Sequence, residues 1–122
     1  MEKVLEKEFV ITDADSATAV GSGGLKVFAT PAMIAFMENA ALTACEPYLK
    51  AGETTVGIEI SAKHLAPTAI GKKVRIKTSL VNKHKAIISF HIEAYDGDTL
   101  IGEAEHKRAI VNKEKFMANV MA

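Results

Sequence analysis

The chain has 122 residues, with 15 Lys+Arg against 15 Asp+Glu, 48% hydrophobic residues, one cysteine and no tryptophan. A formal net charge of zero gives no electrostatic case for nucleic acid or an anionic surface, and the apolar content excludes a disordered chain. A lone cysteine excludes a disulfide framework, and the length suits one domain, residues 1–122, burying roughly two-thirds of its unfolded surface.

Met1, Glu2 and Lys3, followed by Glu6 and Glu8, offer no apolar signal-peptide core, so the cytoplasm is the expected location. Residues 4–10 are half apolar and read as a short strand. Residues 12–24 are rich in Ala, Ser, Asp and Gly, hold no aromatic, and read as a flexible loop. Residues 28–45 then carry a single charge, Glu38. Thr30, Pro31, Asn39 and Thr43 argue against a membrane span, so the segment reads as a helix buried in a soluble core. Thr30 is expected to cap it, with Pro31 at the first helical position. Pro47 and Gly52 mark its end, after a last turn over residues 48–51.

Beyond Gly52 the apolar period changes from helical to two. Residues 54–64 place Val56, Ile58 and Ile60 against Gly57, Glu59 and Ser61. Residues 72–82 set Val74, Ile76, Thr78 and Leu80 on one face, and residues 86–95 do the same with Ile88, Phe90, Ile92 and Ala94. Asp96-Gly97 is a two-residue hairpin signal. Residues 99–111 put Glu103, Glu105 and Lys107 on one face. Such alternation marks antiparallel strands with one wet face. The last residues, 112–122, read as a short helix or a frayed end. Together these give an α+β fold, with a sheet of about five strands wrapped around one long helix. Such a sheet leaves edges and part of the helix uncovered, and pairing between two copies would cover both.

Glu38 carries the most chemical information. Its helical neighbours Ile34, Ala35, Ala41 and Leu42 are apolar. A carboxylate there is paired, hydrogen-bonded or held neutral by desolvation, and residues 31–49 contain no Lys or Arg to pair with it. A functional role is preferred to a structural one. Thr30, about 12 Å of helix away, reads on its own as an ordinary cap. Of the four histidines, His84 falls in a turn, His91 on a polar face, and His106 on the face of Ala104. His64 ends a strand beside a loop, a good place for a cleft and for proton relay, and ranks only slightly above His106. Cys45 reads as a packing residue. Nucleophile-elbow, P-loop, dinucleotide and metal-spacing motifs are absent from the sequence.

The stretch FATPAMIAFMENAALTACEPYL at 28–49, then Ala51-Gly52-Glu53, Val56-Gly57, His64, Gly102-Glu103 and residues 105–110, resembles the hotdog-fold acyl-CoA thioesterases, and within them the fluoroacetyl-CoA thioesterase group. The resemblance implies catalytic Thr30, Glu38 and His64, with the backbone N–H of Gly57 binding the thioester oxygen. It also implies an acyl-CoA substrate, no cofactor beyond the coenzyme A of that substrate, no metal, and sites at the interface of a homodimer or of a tetramer built from it. Neither nucleic acid nor membrane is an expected partner. Lys63, Lys107 and Arg108 are candidates for coenzyme A contact, chosen for expected exposure alone. The loop over residues 12–24 lacks aromatics for a tight lid, so fluoroacetyl specificity is not expected. The alternatives are a non-catalytic acyl-CoA binding or sensing module, a hotdog dehydratase or hydratase, and a structural domain with a satisfied buried Glu. A binder gains little from a lone carboxylate on an apolar face, and the joint presence of Thr30, Glu38 and His64 favours hydrolysis.

Overall fold

The computed structural model describes residues 3–122. Among these, five strands form one antiparallel sheet: β1 (Val4–Val10), β2 (Glu53–His64), β3 (Lys73–His84), β4 (Ile87–Asp96) and β5 (Thr99–Asn112), in the order β1-β3-β4-β5-β2. Consecutive strands β3, β4 and β5 are hairpin neighbours, and β1 and β2 are left as the two edges. A short helix α1 (Ala17–Val20), the long helix α2 (Thr30–Cys45) and the terminal helix α3 (Lys113–Val120) complete the chain. None of the helices among the described residues is long and apolar enough to cross a membrane.

Helix α2 packs against all five strands. Met33, Met37, Ala40, Ala41 and Cys45 on its inner face meet Val74 and Ile76 of β3, Ile88, Phe90, Ile92 and Ala94 of β4, and Ile101 and Ala104 of β5, all buried. The period-two pattern of β3 and β4 therefore places its residues as the sequence indicates. The opposite side of α2 is uncovered: Pro31, Ala35 and Asn39 are exposed, and Ile34, Glu38 and Leu42 are only half-buried. An apolar helix face left open in this way is costly unless something else covers it.

Four local expectations are corrected. Residues 12–24 are not an irregular loop throughout. Ser16 Oγ accepts from the Ala19 N–H and starts α1, which Gly21 ends in the left-handed conformation at φ +84°. Ala29, not Thr30, is the N-cap of α2, and it caps without a side-chain bond. Pro47 sits in a 3₁₀ turn, Glu46–Tyr48, in place of a further α-helical turn. The β4–β5 loop is one residue later than Asp96-Gly97, since Asp96 pairs with Thr99 and Gly97 takes φ +60°. The tail is a helix, α3, capped by Asn112, whose Oδ1 accepts from the Lys115 N–H.

The correction with most consequence lies in β2. Gly57 pairs with Arg108 and Glu59 with Lys107, so Ile58 is an extra residue in a β-bulge. The bulge reverses the parity. Thr55 and Gly57 face α2 before it, and Ile60, Ala62 and His64 face α2 after it, while Ile58 turns outward. Strict alternation would put Gly57 and His64 on opposite faces of the sheet. The bulge puts them on the same one.

Candidate active site

Two groups of polar residues face α2, one at each end of the inner side of β2. The first is at the helix start. Ala29 is pinned by its N–H to the Asp15 carbonyl, at 2.9 Å, and starts the helix with its own carbonyl, which accepts from the Met33 N–H. That frees the Thr30 hydroxyl from capping, and Thr30 Oγ1 lies 2.7 Å from His64 Nδ1. The edge of the Phe28 ring faces the imidazole at 6.1 Å between centroids. His64 Nε2 is buried and finds no hydrogen-bond partner among the described residues. Burial pulls the imidazole below its usual pKa, so it is neutral near pH 7. A cleft of about 330 Å³ opens beside the pair, walled by Ala17, Ser22, Val27, Leu65 and Pro67.

The second group surrounds Gly57. A Cβ on that glycine would sit 2.8 Å from Glu38 Oε2, 3.2 Å from His106 Cε1 and 3.4 Å from Arg108 Nη1. Glycine is thus what lets the Glu38 carboxylate lie directly on the β2 backbone. The Glu38 side chain is 42% exposed, and the sole cation within 4.0 Å of it among the described residues is Arg108, with Nη1 at 3.9 Å.

Arg108 itself is buried, at 6% exposure. Its Nε–H donates to Thr55 Oγ1 at 2.8 Å and its Nη2–H to the Thr55 carbonyl at 3.0 Å. Its Nη1 lies 3.2 Å from His106 Nε2, and His106 Nδ1 lies 2.8 Å from the Glu59 carbonyl. A carbonyl and a guanidinium leave one assignment. Nδ1–H donates to Glu59, and Nε2 accepts from Arg108. His106 is therefore neutral, and burial, reinforced by the Arg108 charge, holds its pKa below the usual value. Cys45 completes the cluster beneath Thr55. Burial raises its thiol pKa, so it is a protonated packing residue rather than a nucleophile.

The structure therefore joins Thr30 to His64 and Glu38 to Gly57, but it does not join the two groups within one chain. Eight helical residues, about 12 Å, separate Thr30 from Glu38. Seven residues of extended strand, about 23 Å, separate Gly57 from His64. Lys63 and Lys107 are exposed on the outer face of the sheet, away from α2. Arg108 is corrected: it does not meet solvent but is clamped by Thr55 and turned to Glu38, because its parity in β5 follows that of Ala104 and His106. Sequence reasoning named this residue only as a coenzyme A contact and missed its place beside Glu38. The inward parity of His106 was the signal, since a residue two places on shares its face. Among the described residues no three His, Cys, Asp or Glu side chains come together as metal ligands.

Residues 11–114 match the sequence model of the FlK family, described as fluoroacetyl-CoA-specific thioesterase. Over 95 residues the chain is 38% identical to the fluoroacetyl-CoA thioesterase of Streptantibioticus cattleyicolor, spanning 78% of this chain and 68% of that protein. It superposes on a solved structure of the fluoroacetyl-CoA thioesterase FlK with a TM-score of 0.93 at 30% identity, covering 98% of this chain and 93% of that one. A variant of that enzyme solved in complex with fluoroacetate and CoA superposes with a TM-score of 0.88 at 30% identity, covering 93% and 96%. These likenesses bear out the hotdog architecture read from the sequence.

Proposed function

Because the chain belongs to the fluoroacetyl-CoA-specific thioesterase family and is a thioester hydrolase, we propose that it cleaves an acyl-CoA to free acid and coenzyme A at a site that two copies of the chain complete together. The observation that carries the reading is the Glu38 carboxylate lying on side-chain-free backbone at Gly57, on an otherwise apolar helix face. A carboxylate beside a backbone that no side chain covers suits attack on a carbonyl whose oxygen gains charge.

Hydrolysis needs the acyl carbon attacked, the oxygen held and the thiolate released. Glu38 takes the proton of a water that bonds to the acyl carbon, or bonds to that carbon itself to give an anhydride that water then opens. The Gly57 N–H donates to the oxygen as the tetrahedral intermediate forms. The carbon–sulfur bond then breaks, and the thiolate takes a proton delivered through His64, whose ring Thr30 orients. The products are one carboxylic acid and one thiol. Every group used is a carboxylate, an imidazole, a hydroxyl or a backbone amide. A cytoplasmic setting accords with a soluble coenzyme A thioester as substrate.

The second copy follows from the gap between the two groups. β2 is an edge strand with unpaired backbone groups, and it exposes Ile58 at 52%. Antiparallel pairing of β2 with itself, about a two-fold axis near Ile60 and Ser61, runs the Gly57 end of one strand beside the end that carries the partner subunit's His64. Glu38 then faces the partner subunit's Thr30, and one isologous contact builds two sites. It also covers the open face of α2.

Thiol release over a panel of acyl-CoA thioesters tests the reading, with Glu38→Gln alongside. Glu38→Gln is expected to lose at least about a hundredfold in rate, the scale of acid–base or covalent catalysis. No turnover on any chain length would overturn the hydrolase, and an undiminished Glu38→Gln would overturn the site. In a single turnover in ¹⁸O water, label entering the Glu38 carboxylate identifies the anhydride route.

A further inference from the structure

Resting on the proposed role of Glu38, we propose that Arg108 is the positioning residue of the catalytic carboxylate, held for that task by Thr55 and His106. The geometry assigns each contact a part. Thr55 takes two of the guanidinium donors on one edge, its hydroxyl at 2.8 Å and its carbonyl at 3.0 Å. His106 takes a third through Nε2, at 3.2 Å. His106 can accept there only because the Glu59 carbonyl holds its proton on Nδ1. The fork is fixed in rotation, with Nη1 directed at Glu38 Oε2, 3.9 Å away.

This arrangement is more than a strap between β2 and β5. Arg108 carries a buried positive charge, and Glu38 supplies the sole carboxylate within 4.0 Å of it among the described residues. A buried charge needs a counter-charge. Thr55 and His106 contribute neutral acceptors, which orient the guanidinium but do not neutralise it. The ion pair therefore works in both directions. Arg108 holds the Glu38 carboxylate low on the Gly57 backbone, and Glu38 compensates Arg108. At 3.9 Å the contact is longer than a tight charge-assisted bond. It leaves the carboxylate free to take a proton or to reach a carbonyl carbon while staying in the field of the cation.

The charged and titratable groups facing Glu38 are Arg108 and His106 from β5, with none from β2 at Gly57. The proposed interface adds the partner subunit's His64. Arg108 is the sole permanent charge among them. Removing it frees the carboxylate to leave the Gly57 backbone, so kcat falls while KM holds, and a lysine that keeps the charge returns most of the loss. For a merely structural arginine the loss follows thermal stability and not charge.

The test measures kcat and KM for the wild type, Arg108→Met, Arg108→Lys, Thr55→Val and Glu38→Gln, each checked for a folded thermal transition. Arg108→Met is expected to lose about tenfold or more in kcat with KM little changed. Arg108→Lys keeps the charge and is expected to recover kcat to within about threefold of the wild type. Thr55→Val leaves every charge in place and loosens the clamp. It is expected to lower kcat severalfold with KM little changed, and it carries the test if Arg108→Met does not fold. An unchanged kcat in a folded Arg108→Met or in Thr55→Val overturns the positioning role. An undiminished Glu38→Gln overturns the reading of the site itself, so the two failures are told apart.

Discussion

Ala29 holds the N-cap of α2, where Ser, Thr, Asp or Asn would add about 1 kcal/mol, and Thr30 stands one residue later with its hydroxyl on His64. A sequence with a capping residue next to the cap, and not in it, has given up local stability for another use of the side chain. Two glycines show the same logic in packing. Gly57 makes room for a carboxylate and Gly102 for a thioether. A Cβ at Gly102 would collide with Met33 Sδ, would lie 2.8 Å from Met33 Cε and would come within 3.1 Å of the Lys63 carbonyl. Met33 can shift, but the backbone carbonyl cannot. Gly102→Ala is therefore expected to cost about 1–3 kcal/mol, the range for overpacking a filled core, read as a lower midpoint in urea unfolding. An unchanged midpoint would show that α2 rides more loosely on β5 than this contact implies. Glu38 was legible in the sequence because a single charge among 18 apolar or neutral residues has no bland explanation nearby. Thr30 and His64 were weakly legible from their own chemistry, since a Thr before Pro at a helix start reads as a cap and a His at a strand end beside a loop ranks only slightly above His106. The resemblance raised both, and their 2.7 Å contact joins them.

At the scale of elements, the sheet divides into a part that alternation predicts and a part that it does not. β3 sets Val74, Ile76 and Thr78, and β4 sets Ile88, Phe90, Ile92 and Ala94, at every second position, and those side chains are buried in that order. β2 breaks its parity at Ile58, and the sequence Val56-Gly57-Ile58-Glu59 shows no break, because a bulge inserts a residue without changing the run of residue types. The segment over residues 12–24 departs from the sequence expectation for a related reason. Small polar residues look like a loop, yet Ser16 and Gly21 supply a start and a stop for one helical turn. The bulge also makes a prediction about association. It turns Ile58 outward on an edge strand, at 52% exposure, where an isolated chain would more safely carry a charge. Ile58→Lys is expected to keep the fold, to sediment as a monomer at micromolar concentration, and to lose turnover with the interface. A folded, monomeric and fully active Ile58→Lys would show that one chain holds a whole site.

The proposed working unit is an arrangement of halves. The fold itself was readable: a helix apolar almost all round, then strands of period two, leaves few packings other than a sheet around the helix. What the sequence could not show is that Thr30 with His64 and Glu38 with Gly57 fall into two sets facing the same way from opposite ends of β2. That depends on a bulge, and the proposed site depends further on a second copy. The most direct measurement mixes two variants that are each inactive alone, Thr30→Ala and Glu38→Gln, after unfolding and refolding them together. In mixed dimers one site then joins the intact Thr30 of one chain to the intact Glu38 of the other, and its counterpart lacks both. With half the dimers mixed and one of two sites restored in each, thiol release is expected to recover to about a quarter of the wild-type rate. A mixture that stays as inactive as its parents, while forming dimers, would contradict a site shared between subunits.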